Sequence, residues 1–544
     1  MIRKLPAVLG VGVLGLGLAA CSDTPPPASE REPIGVDYSE GDPAAETSDE
    51  WTLGTTDAIT SVDPAGAYDI GSWNLQYQMF QQLMTVPANG SEPEPDAAEC
   101  AYDDPSTITC TLQDGLMFAN GNELTSSDVK YSLERNIAIN DPNGSAILLG
   151  SIMDDPSSPN PKLAPNAVET PNDTTVVFNL NKPDTTFLKV LTTATASIVD
   201  EQVYPANKAL ADTDEHSGSG PYVLTQYKEG QQAVFELNES YGGSHPGVAP
   251  RVFVSFHKND TSLTSAVKTG EVDVAWRSIS PTQQKALADD DIAVLKGQGS
   301  EFRYWVWDMN NGAGTDEAIR KAVAQVIDRD QIATNAYDGT VEPAYSIVPP
   351  GFGGQKDSFA DEYGDPDADA AEQILADAGV ETPVPLKLGY PQEHYGPNAV
   401  DEATEIAEQL NGTDLFDVTT EAGEWEQYQT DYKKSAYDLF MLGWYPDFLD
   451  ADNYLSPFVV DGGFFANGYS NPEVNELVNS ELAETDEAAR EETFGQIQDI
   501  VAQDVPLIPT WNGANVAAVG DAVGGVQDTL DPTYIFRFWM ITKN

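Results

Sequence analysis

From residue 51 onward the chain moves between two hydrophobic periods. Trp51-Thr52-Leu53-Gly54-Thr55, Ala233–Leu237 and Val252–Phe256 read as strands, the latter two alternating in and out as a half-buried strand does. The run from Asp114 to Arg135 changes period part-way. It reads as the end of a strand, a Gly-bearing turn, and then a helix in which Val129, Leu133 and Ile137 recur every four residues to form one apolar stripe. Thr125 and Asp128 head that helix in a capping-box pattern, where each side chain can satisfy an exposed helix N–H. A second helix is predicted over Asp316–Arg329. Ile319, Val323, Val326 and Ile327 share one face, and the acids fall in the first turn, where the helix dipole favours them. Asn471-Pro472 opens a third, with Pro at a position where its missing N–H does no harm. Phe302–Trp307 reads as an aromatic strand and Val505-Pro506-Leu507-Ile508-Pro509 as a late one.

The first fifty residues follow different rules. Arg3 and Lys4 precede an apolar stretch from Ala7 to Ala20, too short for the roughly 20 residues of a membrane span. It ends Leu18-Ala19-Ala20-Cys21. These are the parts of an export signal over residues 1–20. The final tetrapeptide looks like a lipobox, after which Cys21 carries lipid; the alternative is an ordinary signal with a chance cysteine. Gly10-x-Gly12-x-x-Gly15 imitates a dinucleotide fingerprint, but no strand precedes it and no helix–strand unit follows. Residues 21–50, with Pro25-Pro26-Pro27 and many acids, hold too little apolar surface to fold, which predicts an extended tether.

Composition narrows the partners. With 40% hydrophobic and 9% aromatic residues in 544, the body has ample material for large cores. The net charge is −61 and becomes about −63 when Arg3 and Lys4 leave with the signal. Such a balance excludes nucleic acid, whose phosphates need Lys and Arg. It mildly favours cationic solutes, although acidic surfaces also serve solubility, and salt screens charges beyond about 8 Å. Besides Cys21 there are Cys100 and Cys110, either side of a turn at Tyr102-Asp103-Asp104-Pro105-Ser106. Outside the membrane they are expected to form a disulfide.

The wording of Asp114–Arg135 resembles the signature of the extracellular solute-binding proteins of family 5, the peptide- and nickel-binding group. Other landmarks come in that family's order. Ser61-Val62-Asp63-Pro64-Ala65 has Val62 for the usual Leu. Gly218-Ser219-Gly220-Pro221-Tyr222 has Ser219 for Thr. Leu263 to Asp273 ends in Gly270-Glu271-Val272-Asp273. In the helix at 316–329, Ile319 and Lys321 replace Val and Gln. The resemblance runs from about 51 to 540. It implies a two-lobed α/β protein of the periplasmic-binding-protein type (cluster C), joined by two hinge strands. Lobe I is expected over 51–309 plus 508–544, with an extra subdomain near 76–215, and lobe II over 310–507. Ligands of such folds sit in the crevice at strand ends, and hinge closure is the working motion.

Met441-Leu442-Gly443-Trp444-Tyr445-Pro446-Asp447 resembles the family's Gly-Trp-x-x-Asp motif, whose acid takes a peptide's α-ammonium. The resemblance assigns that role to Asp447, with Trp444 walling the pocket. Pro446 departs from the small residue usual there. Tyr68, Ser72 and Trp73 after the first strand, and Trp511 after the late one, are further candidate ligand residues. Arg303 is the candidate for a ligand carboxylate. The implied activity is binding, not catalysis: capture of oligopeptides or dipeptides outside the cell for an ABC importer's permease. No cofactor and no metal is expected. The expected form is a monomer, lipid-anchored at Cys21 to the outer face of the cell membrane. The same fold also carries nickel chelates, oligosaccharides or other small solutes in some relatives. A secreted hydrolase is the rival class, but neither His-Glu-x-x-His nor Gly-x-Ser-x-Gly occurs. His216, His245, His257 and His394 lack ligand-like spacing. Asp365-x-Asp367-x-Asp369 imitates a calcium loop with Ala370 and Ala376 in place of the required Gly and Glu.

Overall fold

The computed structural model describes residues 48–544 apart from Glu393; the signal, Cys21 and the tether up to residue 47 lie outside the described residues. Trp51–Thr55 forms as read and becomes an inner strand, flanked by two parallel neighbours, Arg251–Phe256 and Val274–Trp276. Gly54 is needed there, since a Cβ would stand 2.7 Å from Leu263 and 3.1 Å from Val272. Its absence lets the helix Asp260–Thr269 pack onto the strand. Gln232–Leu237 and Tyr222–Lys228 extend the sheet antiparallel to its edge.

On the other side Val274–Trp276 pairs with the end of a 13-residue strand, Leu507–Val519. That strand runs antiparallel to the 15-residue strand Ala293–Trp307. Leu439–Trp444 pairs with the far half of Ala293–Trp307, and Val384–Pro391 and Phe416–Gly423 follow in parallel. With the short strand Glu342–Pro343 at its side, this makes one 11-stranded sheet. The two long strands break register: Gly297 faces Asn515, and the next pair is Glu301 with Gly513. A Cβ on Gly299 would stand 1.8 Å from the Gly513 carbonyl oxygen, so only glycine fits that crossing. Separate cores lie on the two sides. One gathers Trp51, Val252, Trp276, Phe536 and Phe538, the other Trp305, Trp307, Val323, Leu388 and Phe440. The chain is therefore a two-lobed α/β protein sharing one sheet. The aromatic strand expected at Phe302–Trp307 is the second half of a longer one. Its first half turns Gly-rich and polar after Leu295, and pairing carries the strand through that stretch.

A four-stranded antiparallel sheet stands apart, in the order Ala98–Asp104, Thr107–Leu112, Thr175–Asn179, Val168–Asn172, over a core of its own. Cys100 and Cys110 face each other across its first hairpin and form a disulfide. The helix Ser126–Ile139 covers the sheet with Val129, Leu133 and Ile137 buried. The Asp128 carboxylate accepts from the Thr125 N–H at 2.9 Å and from its hydroxyl at 3.0 Å, the expected cap. Two residues past Leu133, Arg135 grips Asp63 with two bonds of 2.9 and 2.6 Å, both side chains almost fully buried. Asp63 also takes the N–H groups of Ala65 and Leu210. The Asp63-Pro64 turn is thereby tied to the helix of the Asp114–Arg135 run. Gly218 and Gly220 lie so close to Met79 that a Cβ on either would stand within 2.5 Å of its backbone.

Two helix boundaries are set by aspartate caps. The helix read to Arg329 stops at Val326, because Asp328 caps a new helix, Arg329–Asn335, through the Gln331 N–H. Asp367 caps Ala368–Ala378 through the N–H groups of Asp369 and Ala370, so that helix begins inside the acidic run. Among the described residues no helix is long and apolar enough to cross a membrane.

Breaking a buried ion pair by removing one partner leaves an uncompensated charge, so Arg135→Met is expected to cost about 3–5 kcal/mol in urea unfolding. Adding Asp63→Leu should recover part of that loss, though not the part Asp63 contributes by holding the Leu210 N–H.

Candidate ligand site between the lobes

Leu439–Trp444 leaves the second lobe's sheet and its chain crosses to the first. Tyr445 packs edge-on against Tyr534 with ring centres 4.8 Å apart, and Phe448 is buried in the core of the four-stranded subdomain. Asp447 lies between these two anchors, half-buried. The Tyr68 hydroxyl donates to its Oδ2 at 2.9 Å and Asn453 Nδ2 donates to the same oxygen at 3.1 Å. Asn453 Oδ1 in turn accepts the Asp447 N–H at 2.8 Å and Trp444 Nε1 at 3.1 Å. One amide thus orients both members of the Trp-x-x-Asp pair. Burial pushes the Asp447 carboxyl up to about 6, with the bonds from Asn453 and Tyr68 acting against it.

Among the described residues Asp447 has no cationic partner. Asp450, three residues on, is the opposite case. Lys189 Nζ reaches it at 2.9 Å, and Arg490 grips it with two bonds of 2.8 Å. Burial alone would raise its carboxyl, but those cations hold it below the ordinary range. Asp450 thereby ties the short helix Phe187–Val190 to the helix Glu487–Asp504. Asp447 is half-buried and left without a counter-charge.

The remaining candidates separate. Tyr68 stacks on Trp73 with ring centres 5.7 Å apart, and Trp73 Nε1 donates to the Ala67 carbonyl. Ser72 is fully buried. Its hydroxyl accepts the Thr60 and Ser61 N–H groups and donates to Asp69, so it fastens the start of the helix Ile70–Met79. Trp511 is buried and its Nε1 donates to Glu402. Glu402 also takes Trp305 Nε1 and the Tyr337 hydroxyl. Arg303 lies directly across from Gly443 in the strand register, where a Cβ would come within 1.9 Å of its Nη1. Its guanidinium carbon stands 3.9 Å from the Tyr395 ring centre and 4.9 Å from that of Trp511, and its Nη2 donates to Glu301 at 2.5 Å. Asp447, Trp444, Tyr68 and Trp73 therefore form one group, and Arg303 and Trp511 another. Asn453, Tyr445 and Glu301 were not among the sequence candidates. Asn453, nine residues past Trp444, is polar in a turn rich in polar residues, and nothing local marks it. A cavity of about 360 Å³ bounded by Asn310, Asp461 and Gly468 is lined by none of these residues.

Residues 92–465 match the profile of the middle region of the bacterial extracellular solute-binding proteins, family 5, and the chain belongs to that family. It is 26% identical over 470 residues to the oligopeptide-binding protein OppA of Bacillus subtilis, covering 83% of this chain and 85% of that one. With the dipeptide-binding protein DppE of the same organism the identity is 25% over 543 residues, 96% of this chain and 97% of the relative. The fold is also that of a dipeptide-binding protein from a Pseudoalteromonas species solved with Met-Leu, with TM-score 0.76 and 21% identity. That match covers 91% of this chain and all of that one. Family members are extracytoplasmic binding proteins.

A carboxyl held at about 6 in the fold against 3.8 in model peptides favours the protonated native state. Its charge therefore destabilises the ligand-free protein above pH 6, and the effect disappears below about pH 4. Asp447→Asn, which keeps the acceptor and drops the charge, should stabilise the ligand-free protein at pH 7 by up to about 3 kcal/mol. In urea melts the gain should shrink steadily from pH 6 to pH 4.

Proposed function

We propose that this chain is the binding lipoprotein of an ABC importer, capturing ammonium-bearing peptides in the cleft between its lobes. The observation that carries the reading is Asp447: a shielded carboxylate reached by donors from both sides of the cleft and lacking a cation. A peptide α-ammonium supplies the missing charge. A hydrogen bond between ionised partners shielded from water is stronger than a neutral one. Trp444 and the Tyr68–Trp73 stack are assigned as the walls around that end. Cys21 is assigned as the lipid anchor at the outer face of the membrane, and a monomer as the form that meets the permease. The relatives named for oligopeptide and dipeptide binding support the same ligand class.

Closure requires two swinging bodies. We place them at 51–309 with 508–544, and 310–507, with the extra subdomain near 76–215. The break in pairing at Gly297–Glu301 and Gly513–Asn515 favours moving the crossing a few residues earlier on the first strand and later on the second. A peptide then stabilises the closed form by its differential affinity for it.

Titration calorimetry of the mature protein with a mixed peptide library tests the reading. Removing a charged partner from such a bond should weaken binding roughly ten- to a hundredfold in Asp447→Asn. Affinity for the unmodified protein should stay level above about pH 7. Below pH 6 it should fall by up to tenfold per unit, because the ligand must displace a proton from Asp447. Binding of chelates or sugars alone, with no such pH dependence, would keep the fold and overturn peptide as ligand.

A further inference from the structure

Asn453 joins the two residues of the Trp-x-x-Asp pair from outside the motif. Asp450 opens the short turn Ala451–Tyr454 by accepting the Asp452 N–H, and the Asn453 N–H bonds back to the Asp450 carbonyl at 3.1 Å. That turn leaves Asn453 only 2% exposed and brings its amide back against the loop it follows. Oδ1 accepts both the Asp447 N–H and Trp444 Nε1. A reversed amide would set its own N–H groups against those two donors, so the orientation is fixed. Nδ2 is then left to donate to Asp447 Oδ2.

The consequence falls on Asp447. Asn453 Nδ2 and the Tyr68 hydroxyl converge on Oδ2, and among the described residues Oδ1 takes no hydrogen bond. One oxygen is used to hold the group, and the other remains to meet a ligand. A donor on a carboxylate also favours the ionised form, because the bond to the charged group is the stronger one. Burial raises the Asp447 carboxyl, and the bond from Asn453 opposes it ahead of that from Tyr68. The other titratable groups that face Asp447 are the phenols of Tyr68, Tyr77 and Tyr454, which burial holds above their ordinary range. Asp450, three residues on, is held ionised by Lys189 and Arg490. None of these changes charge in the range where Asp447 does.

We propose that Asn453 is a positioning residue of the peptide site, whose amide presents Asp447 Oδ1 to the ligand ammonium and keeps that carboxylate ionised as the medium turns acid. This rests on the peptide reading and adds the residue that sets how far into acid the protein can load. An amide that only fastened its turn would affect stability and leave the pH range of binding where it was.

The test is calorimetry on the mature protein with a mixed library of free dipeptides and tripeptides, taken from alkaline to acid pH. In the unmodified protein the affinity should hold level and fall below about pH 6. Asn453→Leu keeps the bulk and drops every bond of the amide. A donor to an ionised group changes its proton affinity about tenfold, so the fall should begin about one pH unit higher in that variant. The two affinities should draw together in alkali and part in acid. A fall beginning at the same pH in both proteins overturns the proposal and spares the peptide reading. Absence of peptide binding in the unmodified protein overturns both. A second measurement needs no change at Asn453: the indole N–H signal of Trp444 in the proton–nitrogen NMR spectrum, assigned with Trp444→Phe. Relayed through Asn453, it should titrate with a midpoint near 6 in the ligand-free protein and stay still in Asp447→Asn. A signal that stays still in the unmodified protein overturns the proposal, even if Asn453→Leu fails to fold.

Discussion

The pairing of Ala293–Trp307 with Leu507–Val519 is the constraint on which everything else rests. Two strands of 15 and 13 residues belong to both lobes, so one sheet serves two separate cores. Their register is interrupted twice, where glycines meet and again between Arg303 and Tyr304. On its other edge Ala293–Trp307 pairs with Leu439–Trp444, setting Arg303 opposite Gly443 and Phe302 opposite Trp444, which fixes where the Trp444–Asp450 loop leaves the sheet. The loop's anchoring in the first lobe by Tyr445 and Phe448 then decides where Asp447 can stand.

A chain with 88 acidic residues offers many carboxylates, and abundance alone distinguishes none. What separates them is the company each keeps. Asp63 is closed by Arg135, Asp450 by Lys189 and Arg490, and Glu402 by neutral donors on Trp305, Tyr337 and Trp511. Those acids hold the fold together. Asp447, half-buried, has no such partner and is held in place by two neutral groups. A site that must accept and release a cation needs that combination, because a permanent counter-ion would compete with the ligand.

Much of the frame was legible from the sequence, because it depends on local rules. The strand at Trp51–Thr55, the cap at Thr125 and Asp128, and Pro472 at a helix start each follow from residues within a few positions of one another. The meeting of Tyr68 with Asp447, 379 residues apart, was suggested only by family resemblance. Ser72 shows the limit of that route: it lies beside Trp73 in sequence, but its hydroxyl is turned to the backbone of Thr60 and Ser61. Glu301 and Tyr445 had no local signal, since their surroundings come from distant parts of the chain. Residues 296–300 carry no large apolar side chain, and only pairing reveals them as part of a strand.

The bond between Asp63 and Arg135 has a bearing on inheritance. The two residues lie 72 positions apart, one in the turn after the first strand and one in the helix of the Asp114–Arg135 run. Neither can drift alone, because burial leaves no water to stand in for the missing partner. Recombination between relatives within that interval would separate the pair. A chimera is therefore viable only if both sides of the junction bring matching residues. The interval from the first strand to that helix behaves as a single heritable block, although its two ends belong to different layers of the fold.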